Sequence, residues 1–260
     1  NQSVRHTGIN FSNDILYQHK FLKKGRTISV NLTTSVNTRK SAADLFTMNT
    51  SQPDSIILTD SIDQKAVVKS IGYTISGSVV YTEPVKKFGQ FSITYTPSFT
   101  KSISDRTTNN FDTLTGDYID LDTTLSNRFI NHYITNKLGI AYRYNNKKIN
   151  WTIGVGGQHA LLQSDQTFPE IFSINKSFWS VLPNVEFNYK LSKTDNLRFF
   201  YRTSTNPPSI TQLQDVIDNS NSLMLTSGNP DLKQTFTQNI GLRVGRTNTD
   251  KATNLFVFVN

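Results

Sequence analysis

The side chains that most often carry out catalysis or bind metals form no active-site pattern in this sequence. Cysteine is absent, which excludes disulfide frameworks, thiol catalysis and cysteine-ligated zinc. The four histidines, His6, His19, His132 and His159, lack the HExxH spacing of a helical zinc site. No serine lies within a GxSxG nucleophile motif. We therefore expect a protein that is not an enzyme and that needs no cofactor.

A cluster of four aspartates is the strongest candidate for a metal site. Asp112, Asp117, Asp120 and Asp122 could offer oxygen ligands to calcium. Their spacing lacks the glycine and the distal glutamate of an EF-hand loop, so a solvated loop is the favoured interpretation. The run Gly154–Gly157 lacks the Lys-Ser/Thr pair of a phosphate loop and is more typical of a bend in a strand. The sequence therefore predicts no metal site.

The basic residues are dispersed over short polar segments. The chain carries 27 Lys and Arg against 19 Asp and Glu, and the net charge of +8 invites a nucleic-acid hypothesis. No RNA- or DNA-binding motif accompanies this charge, so nucleic acid is excluded as a partner. Two explanations stay open for the basic residues of the short segments, an edge facing anionic lipid headgroups or simple solvation of turns. These residues are Lys23, Lys24, Arg26, Lys86, Lys87, Lys147, Lys148, Lys193 and Lys251.

The elements that must position these residues show a repeat of two. Between Ile71 and Tyr81 the odd positions are mostly apolar and the even positions are mostly Ser, Thr or Gly. This is the alternation of a strand with two different faces. No run of comparable length follows the spacing of a helix, so we predict an all-β chain. The same alternation occurs at 28–36, 91–99, 130–144, 149–155, 185–191, 197–201 and 236–244.

The connections between these strands alternate in length. Five are short and rich in turn-forming residues, at Leu22–Arg26, Pro84–Gly89, Asn145–Lys148, Ser192–Asn196 and Thr247–Ala252. Four are long and polar, at about 38–68, 101–128, 163–180 and 204–233. Short turns at one end and long loops at the other are typical of outer-membrane barrels, whose strands alternate apolar outward and polar inward. We predict about ten strands of an antiparallel, up-and-down transmembrane β-barrel, with short periplasmic turns and long extracellular loops.

Strand length separates this barrel from a soluble β-sandwich, which also buries one face of each strand. Strands are usually about 5–6 residues long, whereas the alternation here continues without a break from Ile71 to Tyr81. The apolar content of 36% is low for a packed globule. It fits a barrel in lipid, because only the outer face of such a wall must be apolar. The barrel is the favoured fold.

The most specific segment of the chain runs from Phe199 to Val244. Pro207-Pro208 cannot donate ladder hydrogen bonds and must end a strand, and Gly228-Asn-Pro is turn chemistry. The segment closely resembles the C-terminal barrel of TonB-dependent receptors, especially the outer-membrane β-barrel family. The matching positions are Tyr201, Thr203, Pro208, Ser209, Gln212, Leu213, Asn221, Gly228, Asn229, Pro230, Asp231 and Leu232.

The resemblance implies a 22-stranded barrel of the bacterial outer membrane with an N-terminal plug, energised through the TonB complex. Its implied function is uptake of a nutrient such as a glycan, a peptide or a metal chelate. No plug-like segment is visible, and about ten strands are half of such a barrel. We therefore expect residues 1–260 to be a β-barrel segment of a larger outer-membrane protein, with outer-membrane lipid, a plug and TonB as partners.

Candidate ligand-binding residues follow from the alternation and from the loops. The polar positions of the predicted strands around the fourth short turn face the lumen, namely Asn184, Glu186, Asn188, Lys190, Arg198 and Arg202. The loop candidates are Phe172, Trp179 and the segment Ser209–Leu232. Two alternatives remain for function. One is a non-transporting barrel that scaffolds surface lipoproteins or binds other surface partners, and the other is a soluble carbohydrate-binding sandwich.

Overall fold

A computed structural model of the chain describes residues 2–51, 58–192, 194–208, 210–213, 217–218, 226–229, 231–248 and 253–259. Strands dominate this part of the chain, with one helical turn between them. The elements are β1 (Gln2–Lys20), β2 (Thr27–Ser51), β3 (Leu58–Val85), β4 (Gly89–Asp112), β5 (Asp117–Leu121), β6 (Asn127–Asn145), β7 (Ile149–Phe168), β8 (Phe172–Lys190), β9 (Asp195–Asn206), α1 (Ile210–Leu213), β10 (Ile217–Asp218), β11 (Thr226–Ser227), β12 (Thr235–Asn248) and β13 (Thr253–Val259).

Eleven of these strands form one antiparallel sheet. Its order is β1-β2-β3-β4-β6-β7-β8-β9-β12-β13, with β5 paired to the far end of β4, so long strands that follow one another in sequence are neighbours. The strands β10 and β11 form a separate pair. Among the described residues no helix has the length and hydropathy needed to cross a bilayer. The predicted all-β, up-and-down antiparallel architecture is confirmed, as an open wall of a barrel.

Local backbone chemistry explains the short turns at one end of this sheet. Gly25 in the β1–β2 connection has a φ of 89°, a conformation that glycine adopts without steric cost. In the β6–β7 connection the side-chain Oδ1 of Asn146 accepts hydrogen bonds from the backbone N–H groups of Lys148 and Ile149, at 2.9 and 2.7 Å. Such an Asx turn reverses the chain within a few residues.

Most of the segments predicted as long loops are strand, and the prediction was wrong in this respect. β2 and β3 stay paired from Thr27–Thr82 at the short turn to Ser51–Leu58 at the far end. β4 continues to Asp112, and the β7–β8 ladder continues to the pair Gln166–Phe172. The predicted loops are rich in Ser, Thr and Asn because water meets both faces of a strand that leaves the membrane. The alternation disappears there, although the ladder of hydrogen bonds continues.

The two faces of the sheet differ sharply in composition. We call apolar face the side that carries Ile75 of β3, and polar face the side that carries its neighbour Ser76. The large side chains of the apolar face are exposed although they are hydrophobic. They include Ile15, Tyr17, Val30, Leu32, Tyr73, Ile75, Val79, Ile93, Tyr95, Phe99, Leu138, Ile140, Ile153, Val155, Val181, Ile240 and Leu242.

The apolar band crosses the ladder obliquely. A row of paired residues that starts at Glu83, beside the short turn of β3, passes through Phe91 and Tyr142. The same row reaches Val185 and Ile240, which lie in the middle of the apolar stretches of β8 and β12. Strands of a barrel tilt by about 35–45° against its axis. Because the strands are tilted, a band that is parallel to the membrane plane must shift along the strand from one strand to the next. The observed slant is therefore the one expected for a membrane barrel.

Candidate functional site

The structure places all six predicted lumenal residues on the polar face. In the β8–β9 ladder Asn184 lies opposite Arg202, and Asn188 lies opposite Arg198. The alternation puts Glu186 and Lys190 on the same face. These six residues therefore form part of one continuous surface of β8 and β9, near the short-turn end of the sheet.

Arg202 is held in place from two sides on this surface. Its guanidinium forms an ion pair with Glu186 and lies over the ring of Phe200, with 5.5 Å between Cζ and the ring centroid. The ring itself covers Gly241, where an added Cβ would come within 2.3 Å of ring atoms. Glycine at this position therefore leaves the space in which the aromatic ring lies flat against β12.

A second cluster on the polar face contains cations without carboxylates. Arg198 of β9 lies directly opposite Arg243 of β12, and neither guanidinium has an ion pair within the described residues. They line an open groove of about 470 Å³ with Lys148, Lys190 and several asparagines. Like charges directly opposite each other in a ladder are destabilising. The cluster therefore provides a surface that favours an anionic partner.

The connection between β9 and β12 folds back onto the polar face. Leu213 of α1 is completely buried and forms an apolar cluster with Leu162 of β7 and Ile174 of β8. Leu232 packs against the same cluster, as do Tyr133 and Phe178. Gln234 extends the contact, donating a hydrogen bond to the Tyr133 hydroxyl at 3.3 Å and accepting one from Ser180 at 3.2 Å. The described residues of this loop thus pack over the polar face far from the short turns.

The family-like motif supplies the hydrogen bonds that close this loop. The backbone N–H of Asn229 donates to the carbonyl of Gln212 at 2.6 Å. The Asn229 side-chain Oδ1 accepts from the N–H of Asp231 at 2.8 Å, and its carbonyl accepts from Leu232 at 3.3 Å. Asp231 also lies 3.7 Å from the ammonium of Lys176 on β8. The motif positions Gly228 and Leu213 adjoin these bonds, whereas Ser209, Asn221 and Pro230 lie outside the described residues.

The upstream half of the motif anchors β9 to its neighbours. The hydroxyl of Tyr201 donates to Gln238 Oε1 of β12 at 3.0 Å. The hydroxyl of Thr203 donates to the carbonyl of Pro183 in β8 at 2.8 Å. Pro208 follows the end of β9 and is buried. These contacts give Tyr201 and Thr203 a structural role in the wall.

Trp179 was predicted as a loop residue that contacts a ligand. It belongs to β8 instead of a loop, and it projects from the apolar face with 78% of its surface exposed. Its indole packs against the ring of His159 on β7, with 4.4 Å between centroids. Trp179 lies two residues before Val181 and therefore on the same face of the strand, which could have been predicted from the sequence. Phe172 begins β8 opposite Gln166 at the far end of the sheet.

The aspartate cluster shapes turns. Asp112 accepts hydrogen bonds from the N–H of Leu114 and the hydroxyl of Thr115, both at 2.9 Å, and these bonds hold the pKa of its carboxyl below the ordinary value. Asp122 accepts from the N–H of Thr124 at 2.9 Å. Within the part of the chain that the structure describes, no group of three or more His, Cys, Asp or Glu side chains could hold a metal ion.

Residues 19–260 match the model of the outer membrane protein beta-barrel family. The chain belongs to this family. It is therefore a β-barrel protein of the bacterial outer membrane, and the soluble sandwich alternative is wrong. No curated protein matches the sequence.

Solved receptor structures share the fold. The siderophore receptor PiuA from Acinetobacter baumannii has a TM-score of 0.60 at 11% identity, over 96% of this chain and 39% of its own. FpvA of P. aeruginosa, solved with a heterologous pyoverdine and iron, has a TM-score of 0.58 at 15% identity, over 96% of this chain and 32% of its own. The ferric-catecholate import receptor Fiu from E. coli K12 has a TM-score of 0.55 at 13% identity, over 95% of this chain and 39% of its own.

The chain thus spans 32–39% of the length of these receptors. At this level of identity the likeness concerns the fold. The sequence-based resemblance to a TonB-dependent-receptor-like barrel is confirmed on that level.

Proposed function

We propose that this chain forms part of the wall of an outer-membrane receptor that takes up a nutrient. The observation that carries the proposal is the contrast between its two faces. The apolar face is an exposed hydrophobic band of the kind that meets lipid. The polar face carries the charged clusters and is covered in its upper part by the packed β9–β12 loop. A wall of this kind encloses a polar lumen that is accessible from the loop side.

The lumen has two zones with different tasks. The upper zone is covered by the loop that Leu213 and Leu232 hold against the wall, and it is the region that an arriving ligand meets first. The lower zone contains the Arg198–Arg243 pair in a groove without carboxylates. We assign the lower zone to contact with a plug domain of the longer parent protein, through acidic groups of the plug. Release of a ligand then requires the plug to move, with energy supplied through TonB.

The candidate ligand residues are those that the structure keeps on the polar face, together with the loop. They are Asn184, Glu186, Asn188, Lys190, Arg198, Arg202 and the segment Ser209–Leu232, with Phe172 at its upper rim. Trp179 is left out because its indole faces away from the lumen. The similar solved structures include siderophore and ferric-catecholate receptors, and this favours a metal chelate among the nutrient classes. The proposal includes no catalytic step.

Growth tests the proposed uptake. The full-length parent is expressed in an outer-membrane receptor deletion strain, and growth is measured with a ferric catecholate, a ferric hydroxamate, an oligosaccharide or an oligopeptide as the only source of iron or carbon. We expect growth on one class, dependent on the energy-transducing complex. The R198Q/R243Q variant should lose most of that growth, whereas K86Q/K87Q at the short turn should keep it.

The same experiment distinguishes the alternative. Growth that is equal with and without the protein on all four classes, while it is folded in the outer membrane, would overturn the uptake proposal. A non-transporting scaffold for a surface lipoprotein would then remain as the function.

A further inference from the structure

Three lysines and a histidine lie on the apolar face along the edge far from the short turns. Lys40 of β2 lies directly opposite Lys69 of β3, and both are exposed. On the next strands Lys101 of β4 lies directly opposite His132 of β6. Lys69 comes two positions beyond Ile71, the last residue of the apolar stretch of β3. We call Lys40, Lys69, Lys101 and His132 the upper basic edge.

The upper basic edge has little compensation within the sheet. Among the described residues, none of its three lysine ammonium groups has an ion-pair or hydrogen-bond partner. Asp105 is opposite Lys69 in the ladder, but Arg128 is opposite Asp105 on its other side. Lys40 and Lys69 are like charges directly opposite each other in the ladder, which is unfavourable. An anion from outside the protein therefore stabilises this edge.

Aromatic side chains mark the same level as a membrane boundary. Trp179 and His159 stack on the apolar face at the far end of the β7–β8 band. Tryptophan and tyrosine prefer the interface between hydrocarbon and water, where barrels carry their aromatic girdles.

We infer that the upper basic edge binds the phosphate groups of an outer-leaflet glycolipid. Short turns face the periplasm in outer-membrane barrels, so the opposite edge is the one that meets the outer leaflet. Lys101 is four residues along β4 from the position opposite Lys69, which is about 13 Å at about 3.3 Å per residue. The Lys40–Lys69 pair and Lys101 therefore offer separate cationic sites, as a lipid with two phosphates requires. The acyl chains of that lipid would lie on the apolar band beneath.

Direct binding tests the inference. The full-length protein is purified in detergent and titrated with bisphosphorylated lipid A, and bound lipid is counted by native mass spectrometry. The K40Q/K69Q/K101Q variant is compared with K86Q/K87Q/K147Q, which removes the same charge at the short-turn edge. We expect the first variant to bind at least tenfold more weakly, since each basic residue contributes on the order of fivefold to binding of an anionic lipid. The second variant should bind like the wild type, and lipid A without phosphates should bind weakly to all three.

Two results would overturn the inference, namely equal losses in the two triple variants or equal binding of the dephosphorylated lipid. If the first triple variant does not assemble, the K40Q/K69Q pair is measured in the same way. The inference rests on the orientation of the wall and is independent of nutrient uptake. Intact growth with lost lipid A binding, or the reverse, keeps the two proposals apart.

Discussion

Among single residues, Glu83 connects the β1–β2 turn to the end of β3. Its carboxylate accepts hydrogen bonds from Arg26 at 2.7 Å, from Lys23 at 2.5 Å and from the Tyr81 hydroxyl at 2.8 Å. The residue lies beyond Tyr81, on the turn side of the apolar band. The bonds from Arg26, then Lys23 and Tyr81, hold the pKa of Glu83 well below its ordinary range.

Replacing Glu83 should change how stability depends on pH. Because the pKa is lower in the folded chain than in the unfolded chain, the stabilisation is present above the ordinary value of 4.5 and is lost as the pH falls through the lower folded value. We expect E83Q to lower the melting temperature of the full-length protein in detergent near pH 7. The difference from wild type should shrink as the pH falls below 4.5.

The matched control is E170Q, at an exposed carboxylate between β7 and β8 that has no ion pair among the described residues. It should leave the melting temperature unchanged across the same range. A melting difference for E83Q that stays constant down to strongly acid pH would contradict the prediction.

The sequence predicted which face most site residues lie on, because side chains alternate between the two faces without interruption along each strand. Asn184, Glu186 and Arg202 follow directly from it. Phe200 was missed, since an aromatic residue on a polar face breaks the rule that large hydrophobic side chains face lipid. The signal that could have found it is Gly241, a small residue that leaves room for a ring, but the register that pairs the two is not visible in sequence.

Among the elements, the described residues of the β9–β12 connection pack over the polar face of β7 and β8. Its attachment rests on two leucines, and Leu213 is completely buried although it belongs to a helix of four residues. So short a helix has little stability of its own. Packing on β7 and β8 therefore holds the loop in place.

Truncating Leu213 should release the loop without unfolding the wall. L213A removes a buried side chain, a change that typically costs about 2–5 kcal/mol, and the loss is confined to the loop because the sheet ladders remain. We expect cleavage in the segment between β9 and β12 to accelerate more than tenfold in limited proteolysis of the full-length protein, with an unchanged melting temperature. L114A, at a turn leucine that is fully solvent-facing, should be cleaved at the wild-type rate. Equal protection of the L213A loop would contradict this account.

The extent of the strands could be predicted only where lipid or protein covers one face. Alternation identifies the stretch from Ile71 to Tyr81, but β3 begins at Leu58. In the segment Lys65–Ser70 one face carries two lysines and a valine and the other carries alanine, valine and serine, so neither face is uniformly apolar and the sequence gives no clear periodic signal. Pairing with β2 and β4 maintains the strand there, and such non-local hydrogen bonds leave no mark in a single sequence.

For the whole molecule, the wall has one face that lipid must cover and one face that meets water. Ile75 is 53% exposed at the middle of the apolar stretch of β3, and Ser76 turns to the other side. The oblique course of the band places the hydrocarbon at a different height on each strand. Two consecutive residues of one strand, such as Ile75 and Ser76, therefore face lipid and water respectively.

Placing a lysine on each face of β3 gives a direct test of this assignment. I75K places an ammonium group in the hydrocarbon and should cost about 2–4 kcal/mol, the range for basic residues at the bilayer midplane of barrels. S76K faces the aqueous side and should assemble like wild type. The measurement is the folded fraction in the outer membrane, read from heat-dependent mobility of the full-length protein in gel electrophoresis. Equal assembly of the two variants would contradict the assignment of faces.

The length of the paired strands has a consequence for where recognition begins. From Ile71 at the outer end of its apolar stretch, β3 continues to Leu58 in unbroken pairing with β2, a further reach of about 40 Å at about 3.3 Å per residue. Ladders are far stiffer than open loops of equal length. The paired ends of β2 and β3 therefore extend well beyond the hydrocarbon, and a molecule that approaches from that side meets this fixed surface before it reaches the polar face.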